Sequence, residues 1–106
     1  MTKKIYISAP INGYDLNERK RFFEQKEKEI KALGYIPISP MRNGVPLNAP
    51  VSEHFKADLK LLLDCDEAWF YGNINESKGC LLEWRTAYAC NIPRSYSDQE
   101  ETPLAK

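Results

Sequence analysis

Four short runs rich in β-branched, aromatic and aliphatic residues, separated by gaps that each hold a helical pattern, limit what this chain can fold into. The runs are Ile5 to Ser8, Tyr35 to Ser39, Ala68 to Tyr71 and, more weakly, Ile92 to Tyr96. In the first gap Phe22, Phe23, Ile30 and Leu33 fall on one helical face, Asp15 and Glu18 have capping-box spacing, and Gly34 stands where a helix ends. In the second, after a loop from Pro40 to Pro50, Ser52 is placed to cap a helix with an inward stripe of Phe55, Leu59, Leu62 and Leu63, ending near Asp64. The third helix is expected over Ser77 to Asn91, with Cys80, Leu81, Trp84 and Tyr88 as its apolar stripe.

Strands alternating with helices at this spacing require a parallel sheet, because each right-handed crossover must pack back on the sheet. The expected fold is three-layer α/β: a Rossmann- or flavodoxin-like open parallel sheet of about four strands with helices on both faces. The chain has 106 residues, enough for one core and too few for two. Residues 1–96 are read as a single domain, and residues 97–106, "SDQEETPLAK", as a polar tail expected to be disordered.

Fifteen basic and fifteen acidic side chains cancel, so the chain lacks the one-sided field of proteins that bind polymeric nucleic acid. No stretch approaches the ~20 apolar residues of a membrane span, and the first ten residues hold no apolar signal core, so no membrane partner is expected. Cys65, Cys80 and Cys90 form no CxxC pair, and His54 is the single histidine. A metal cluster therefore has too few ligands, and all three thiols are read as reduced, in keeping with a cytoplasmic protein.

Ligands of open α/β sheets bind beyond the carboxyl ends of the strands, which directs attention to the loops "SAPINGYD", "SPMRNGVPLNAP" and "GNINESKG". Asn12, Gly13 and Tyr14 are expected to form a phosphate or ribose cradle there, with Ser8 and Ala9 before them also expected at the substrate, although Gly13 belongs to no GxGxxG fingerprint and a dinucleotide site is not supported. No residue between Met41 and Asn48 is assigned to base recognition. With Ser77 as N-cap and Gly79 in the first turn, the helix start would favour a phosphate or carboxylate; alternatively the pair only caps and packs. Glu83 lies at the edge of the buried stripe near Ala87, among small neighbours that leave room for a ligand; otherwise it pairs with Arg85 or Arg94. Asp58 sits beside the apolar stripe of the preceding helix, or else pairs with Lys56 or Lys60 on the surface.

Two carboxylates converging over the strand ends suit displacement at a sugar carbon, one attacking the anomeric centre while a second group protonates the departing base. Asp64 and Asp66 are read as ending a helix and opening a strand, His54 as a first-turn surface histidine, and Trp69, Phe70 and Trp84 as core.

"KIYISAPINGY", "GYIPISP", "ADLKLLLDCDEAWF" and "ESKGCLLEWRTAYACNIP" together resemble the nucleoside 2-deoxyribosyltransferase-like family, including its short members and the deoxynucleoside 5'-monophosphate N-glycosidases. The resemblance runs over residues 3 to 94. Its most specific element is a serine six residues and a glycine four residues before a helix glutamate, preceded by an Asp-Leu helix and a tyrosine in the first strand. It implies that Glu83 is the nucleophile that takes the deoxyribosyl group, that Asp58 assists base departure or holds the sugar, and that Tyr6 orients the nucleophile. Ser77 stands where the transferases carry an aspartate, as in the monophosphate enzymes, and a neutral serine accepts a phosphate that an aspartate would repel.

The chain departs from those enzymes at Pro10, which replaces a serine, and at Leu81, which replaces a glycine. The implied substrate is a small-molecule deoxynucleoside or deoxynucleotide, with no metal or organic cofactor, in a homo-oligomer. A non-catalytic nucleotide-binding module is the alternative that the same residues allow.

Overall fold

Alternation along the first strand divides the interior into two cores. In the structure, a computed structural model that describes residues 2–97, β1 (Lys4–Ser8) sends Ile5 and Ile7 to one face of the sheet and Tyr6 and Ser8 to the other. The other strands are β2 (Ile36–Ile38), β3 (Glu67–Tyr71) and β4 (Arg94–Ser97). All neighbours pair in parallel, in the order β2-β1-β3-β4.

Helix α1 (Leu16–Ala32) closes the Ile5 and Ile7 face through Phe23 and Ile30. Helices α2 (Val51–Leu63) and α3 (Lys78–Ala89) close the other through Leu62, Cys80 and Ala87. The result is the three-layer α/β sheet expected, with the strand order of its flavodoxin-like form. From β1 the chain moves outward to β2. It then crosses back over β1, and from β3 it moves outward the other way to β4. The carboxyl ends of β1 and β3 consequently border the crevice where such sheets bind ligands.

Several local expectations are corrected. Asp15 occupies the N-cap of α1 but makes no side-chain cap bond, and the Glu18 side chain pairs with Arg19 instead of reaching back to it. Helix α2 begins one residue before Ser52, with Pro50 at the N-cap; the proline ring fixes φ at −57° and sets the entry of the chain without a side-chain acceptor. Leu63 is exposed rather than inward, and so is Tyr88. The buried face of α3 is Cys80, Glu83 and Ala87, so Glu83 lies in the middle of that face rather than at its edge. Trp69 and Phe70 are buried and Trp84 packs at the margin of the core, edge-on to Phe70. Asp64 caps the end of α2 and pairs with Lys4, while Asp66 accepts from the Lys4 amide at the entrance to β3. Ser97 closes β4, and the rest of the expected tail lies outside the described residues.

Candidate active site

A carboxylate in the middle of a buried helix face needs partners, and β1 supplies them. Tyr6 and Ser8, two residues apart and so on the same face of the strand, donate to Glu83 from below: Tyr6 Oη to Oε2 at 2.5 Å and Ser8 Oγ to Oε1 at 2.7 Å. Each carboxylate oxygen therefore has a hydroxyl donor, and neither Arg85 nor Arg94 is engaged. Arg94 instead lies between the rings of Trp84 and Tyr88. Glu83 is only 7% exposed, and its burial pushes its pKa up to about 7 against the opposing pull of the two hydroxyls. Tyr6 is held well above its ordinary value, first by burial and then by the charge of Glu83, so it remains a donor throughout the physiological range.

Above Glu83 opens a cavity of about 480 Å³ beyond the ends of β1 and β2, bounded by α1, the β2–α2 loop, α2 and the start of α3. Its wall includes Ala9, Asn12, Asn43, His54, Phe55, Asp58, Ser77, Gly79, Cys80 and Glu83, with apolar contributions from Met41, Val45, Leu47 and Val51. Polar groups converging on a partly apolar hollow are the usual composition of a small-molecule site.

Asp58 is half-buried in this wall, and burial raises its pKa against the opposing influence of Asn43 and His54. Its partner is Asn43, whose Nδ2 donates to Oδ1 at 2.8 Å. Lys56 pairs with Glu53 instead. The cavity thus brings together Glu83 and Asp58 from two crossover helices, and the like charge of Asp58 adds to the burial that raises the pKa of Glu83.

Ser77 is the N-cap of α3, and its hydroxyl accepts from the Cys80 amide at 3.2 Å. The earlier amides of that turn have no intrahelical acceptor. Gly79 faces the ring of Phe55 so closely that a Cβ would lie 3.2 Å from Cε1, so the packing of α3 on α2 already accounts for this glycine. Cys80 lines the cavity as a neutral thiol, its pKa pushed up to about 11 by burial.

Of the residues expected at the substrate, Ala9, Asn12, Ser77 and Gly79 border the cavity. Ser8 does not face it; its hydroxyl is spent on Glu83. Gly13 serves the turn, at φ +88°, and is not part of the wall. Nothing in the residue pattern selected Asn43, and His54 was expected at the surface. Both belong to the wall, joined by a 3.2 Å contact between Asn43 Nδ2 and His54 Nδ1. The available signal was the Asn-Gly pair in the loop leaving β2, at the carboxyl end of a strand.

Known proteins share this architecture. A 2-deoxyribosyltransferase from the psychrotolerant bacterium Bacillus psychrosaccharolyticus superposes with a TM-score of 0.70 at 22% identity, over 95% of this chain and 77% of its own. A conserved protein from Enterococcus faecalis V583 superposes with a TM-score of 0.67, also at 22% identity, over 91% of this chain and 63% of its own. At that identity the likeness is one of fold. No curated protein matches the chain. The family model for DUF4406, a domain of unknown function, matches residues 3–96, nearly the whole of what the structure describes. The chain therefore belongs to the DUF4406 family.

Proposed function

We propose that the cavity cleaves or transfers the N-glycosidic bond of a 2'-deoxynucleoside or its 5'-monophosphate, through a covalent glutamyl-deoxyribosyl intermediate. The observation that carries this reading is a buried carboxylate, Glu83, held by Tyr6 and Ser8 on the floor of a cavity whose wall holds a second carboxylate, Asp58. The 2-deoxyribosyltransferase that shares the fold is described as a biocatalyst for nucleoside synthesis, which agrees with this chemistry.

In the first step a Glu83 oxygen attacks C1' and the C1'–N bond breaks. Its electron pair leaves with the base, which takes a proton from Asp58 directly or through water. In the second step, water or an incoming base attacks C1', Asp58 takes the proton back, and the ester opens to regenerate Glu83. The productive form of the empty site has one proton between the two carboxylates, carried by Asp58 while Glu83 is ionised.

Tyr6 and Ser8 act behind the nucleophile. They fix its orientation and favour its anion, against a burial that favours the acid. Ser77, a neutral cap at a helix start, favours a substrate bearing a 5'-phosphate. The rim residues Leu47 and Val51 are exposed apolar groups, which suits a site completed by a second subunit of a homo-oligomer.

The test is release of free base from a panel of 2'-deoxynucleosides and their 5'-monophosphates, with and without an acceptor base, comparing the native chain with Glu83→Ala. Glu83-dependent release supports the reading, and the effect of the acceptor separates transfer from hydrolysis. Saturable nucleotide binding with no release would identify a non-catalytic nucleotide-binding module instead.

A further inference from the structure

The loop between β2 and α2 reaches the site with one side chain, Asn43, whose polar atoms are engaged on both sides. Its Oδ1 accepts from the Val45 amide at 2.9 Å, which fixes the orientation of the carboxamide. Nδ2 is thereby turned to α2, where it donates to Asp58 Oδ1 at 2.8 Å and approaches His54 Nδ1 at 3.2 Å. An amide nitrogen can only donate, so the Asn43 contact is a hydrogen bond to His54 Nδ1 in the tautomer that carries its proton on Nε2. His54 and Asp58 are four residues apart on α2, so they share a helix face, and both belong to the cavity wall.

We infer that Asn43 is a positioning residue for base departure: by holding Asp58 through Oδ1 it leaves Oδ2 as the oxygen that delivers the proton, and it keeps His54 beside it as an Nε2–H donor. The inference rests on the reading of the site as a glycosidic one. Asn43 touches neither the sugar carbon nor the nucleophile in this scheme and acts through Asp58. Asn43 from the β2–α2 loop and His54 from its own helix bear on Asp58, and the charge of Asp58 in turn bears on Glu83 from α3 and Tyr6 from β1. Arg42, next to Asn43 in sequence, is committed to Glu27 through two hydrogen bonds. Asn43 is thus the hydrogen-bond donor that favours the ionised form of Asp58.

A residue that acts through the acid matters only when the leaving group needs a proton. The experiment compares the native chain with Asn43→Ala, Asn43→Asp and Asp58→Asn on two substrates: a 2'-deoxynucleotide with an ordinary base, and 4-nitrophenyl 2-deoxyriboside, whose phenolate departs unprotonated. Asn43→Ala is expected to slow base release by roughly tenfold or more while leaving nitrophenolate release within about twofold, the pattern that Asp58→Asn also gives. Asn43→Asp keeps the acceptor for Val45 and removes the donor to Asp58, so it is expected to follow Asn43→Ala rather than the native chain. Loss of that donor also moves the acid limb of the pH profile for base release to higher pH.

Equal slowing on both substrates would reduce Asn43 to a structural role, and no slowing on either would remove it from the mechanism. Either result overturns this inference while Glu83-dependent release by the native chain stands. Absence of Glu83-dependent release overturns the underlying reading and this inference with it.

Discussion

Tyr6 and Glu83, 77 residues apart in the chain, are joined by a 2.5 Å hydrogen bond from the phenol to Oε2 in the buried layer between β1 and α3. It is a charge-assisted contact when Glu83 is ionised, and such bonds contribute about 1.5–3 kcal/mol. Tyr6→Phe keeps the packing and removes the donor. We predict a loss of roughly 10- to 100-fold in base release, with the fold retained. The pKa of Glu83 should also rise, since the hydrogen bond from Tyr6 lowers it. Steady-state rates across pH, alongside thermal unfolding of the same variant, check both parts.

The two carboxylates make the pH dependence diagnostic. In the proposed mechanism base release needs Glu83 ionised and Asp58 protonated, so kcat/KM should be bell-shaped, lost at low pH when both are protonated and at high pH when neither is. Because burial pushes Glu83 up to about 7, the alkaline limb is expected near that pH. With 4-nitrophenyl 2-deoxyriboside only the ionisation of Glu83 counts, and activity should instead rise through about pH 7 to a plateau. The same alkaline fall for both substrates would contradict the division of labour between Glu83 and Asp58.

Holding Glu83 in this layer also costs stability, and the sign follows from linkage. Its folded pKa, about 7, lies above the ordinary carboxylate value of 4.5. Between those values the folded state binds more protons than the unfolded one, so this group lowers stability as pH rises through that window and has its full effect above it. Glu83→Gln removes the titration. Relative to the native chain it should gain stability between pH 4 and pH 8, by at most about 3 kcal/mol. Urea unfolding of both proteins at the two pH values measures the difference, in which the contributions of other groups cancel.

Ser77 can be tested for its two roles separately. Its hydroxyl caps α3 through the Cys80 amide, so Ser77→Ala is expected to cost about 1 kcal/mol of stability. Ser77→Asp keeps a capping oxygen and preserves stability, but it places a negative charge where a 5'-phosphate would sit. Turnover of 5'-monophosphates should fall by roughly tenfold or more while nucleosides are spared. Parallel unfolding curves and substrate comparisons with the two variants separate cap from binding site.

The architecture was legible in the sequence because β1 and β3 are short apolar runs buried on both faces and α1 carries a clear 3.6-residue period. The buried face of α3 was not, because a hydrophobic stripe drawn through Trp84 and Tyr88 cannot anticipate that Tyr6 and Ser8 make Glu83 burial tolerable from a strand 75 or more residues away. Glu83 and Asp58 were singled out by their places on the two helices only together with the family resemblance. Asn43 could not, since its role depends on the turn that brings Oδ1 to the Val45 amide and Nδ2 to Asp58. Ser52 attracted attention as a capping residue, whereas the fixed φ of Pro50 does the work of starting α2.

The most direct test of the account is mass spectrometry of the protein quenched during turnover of a 2'-deoxynucleoside 5'-monophosphate, followed by peptide mapping. The account predicts a deoxyribosyl ester, with or without the phosphate according to the substrate consumed, on the peptide containing Glu83, and its disappearance in Glu83→Ala. Base release that proceeds with no adduct on that peptide and survives Glu83→Ala would contradict it.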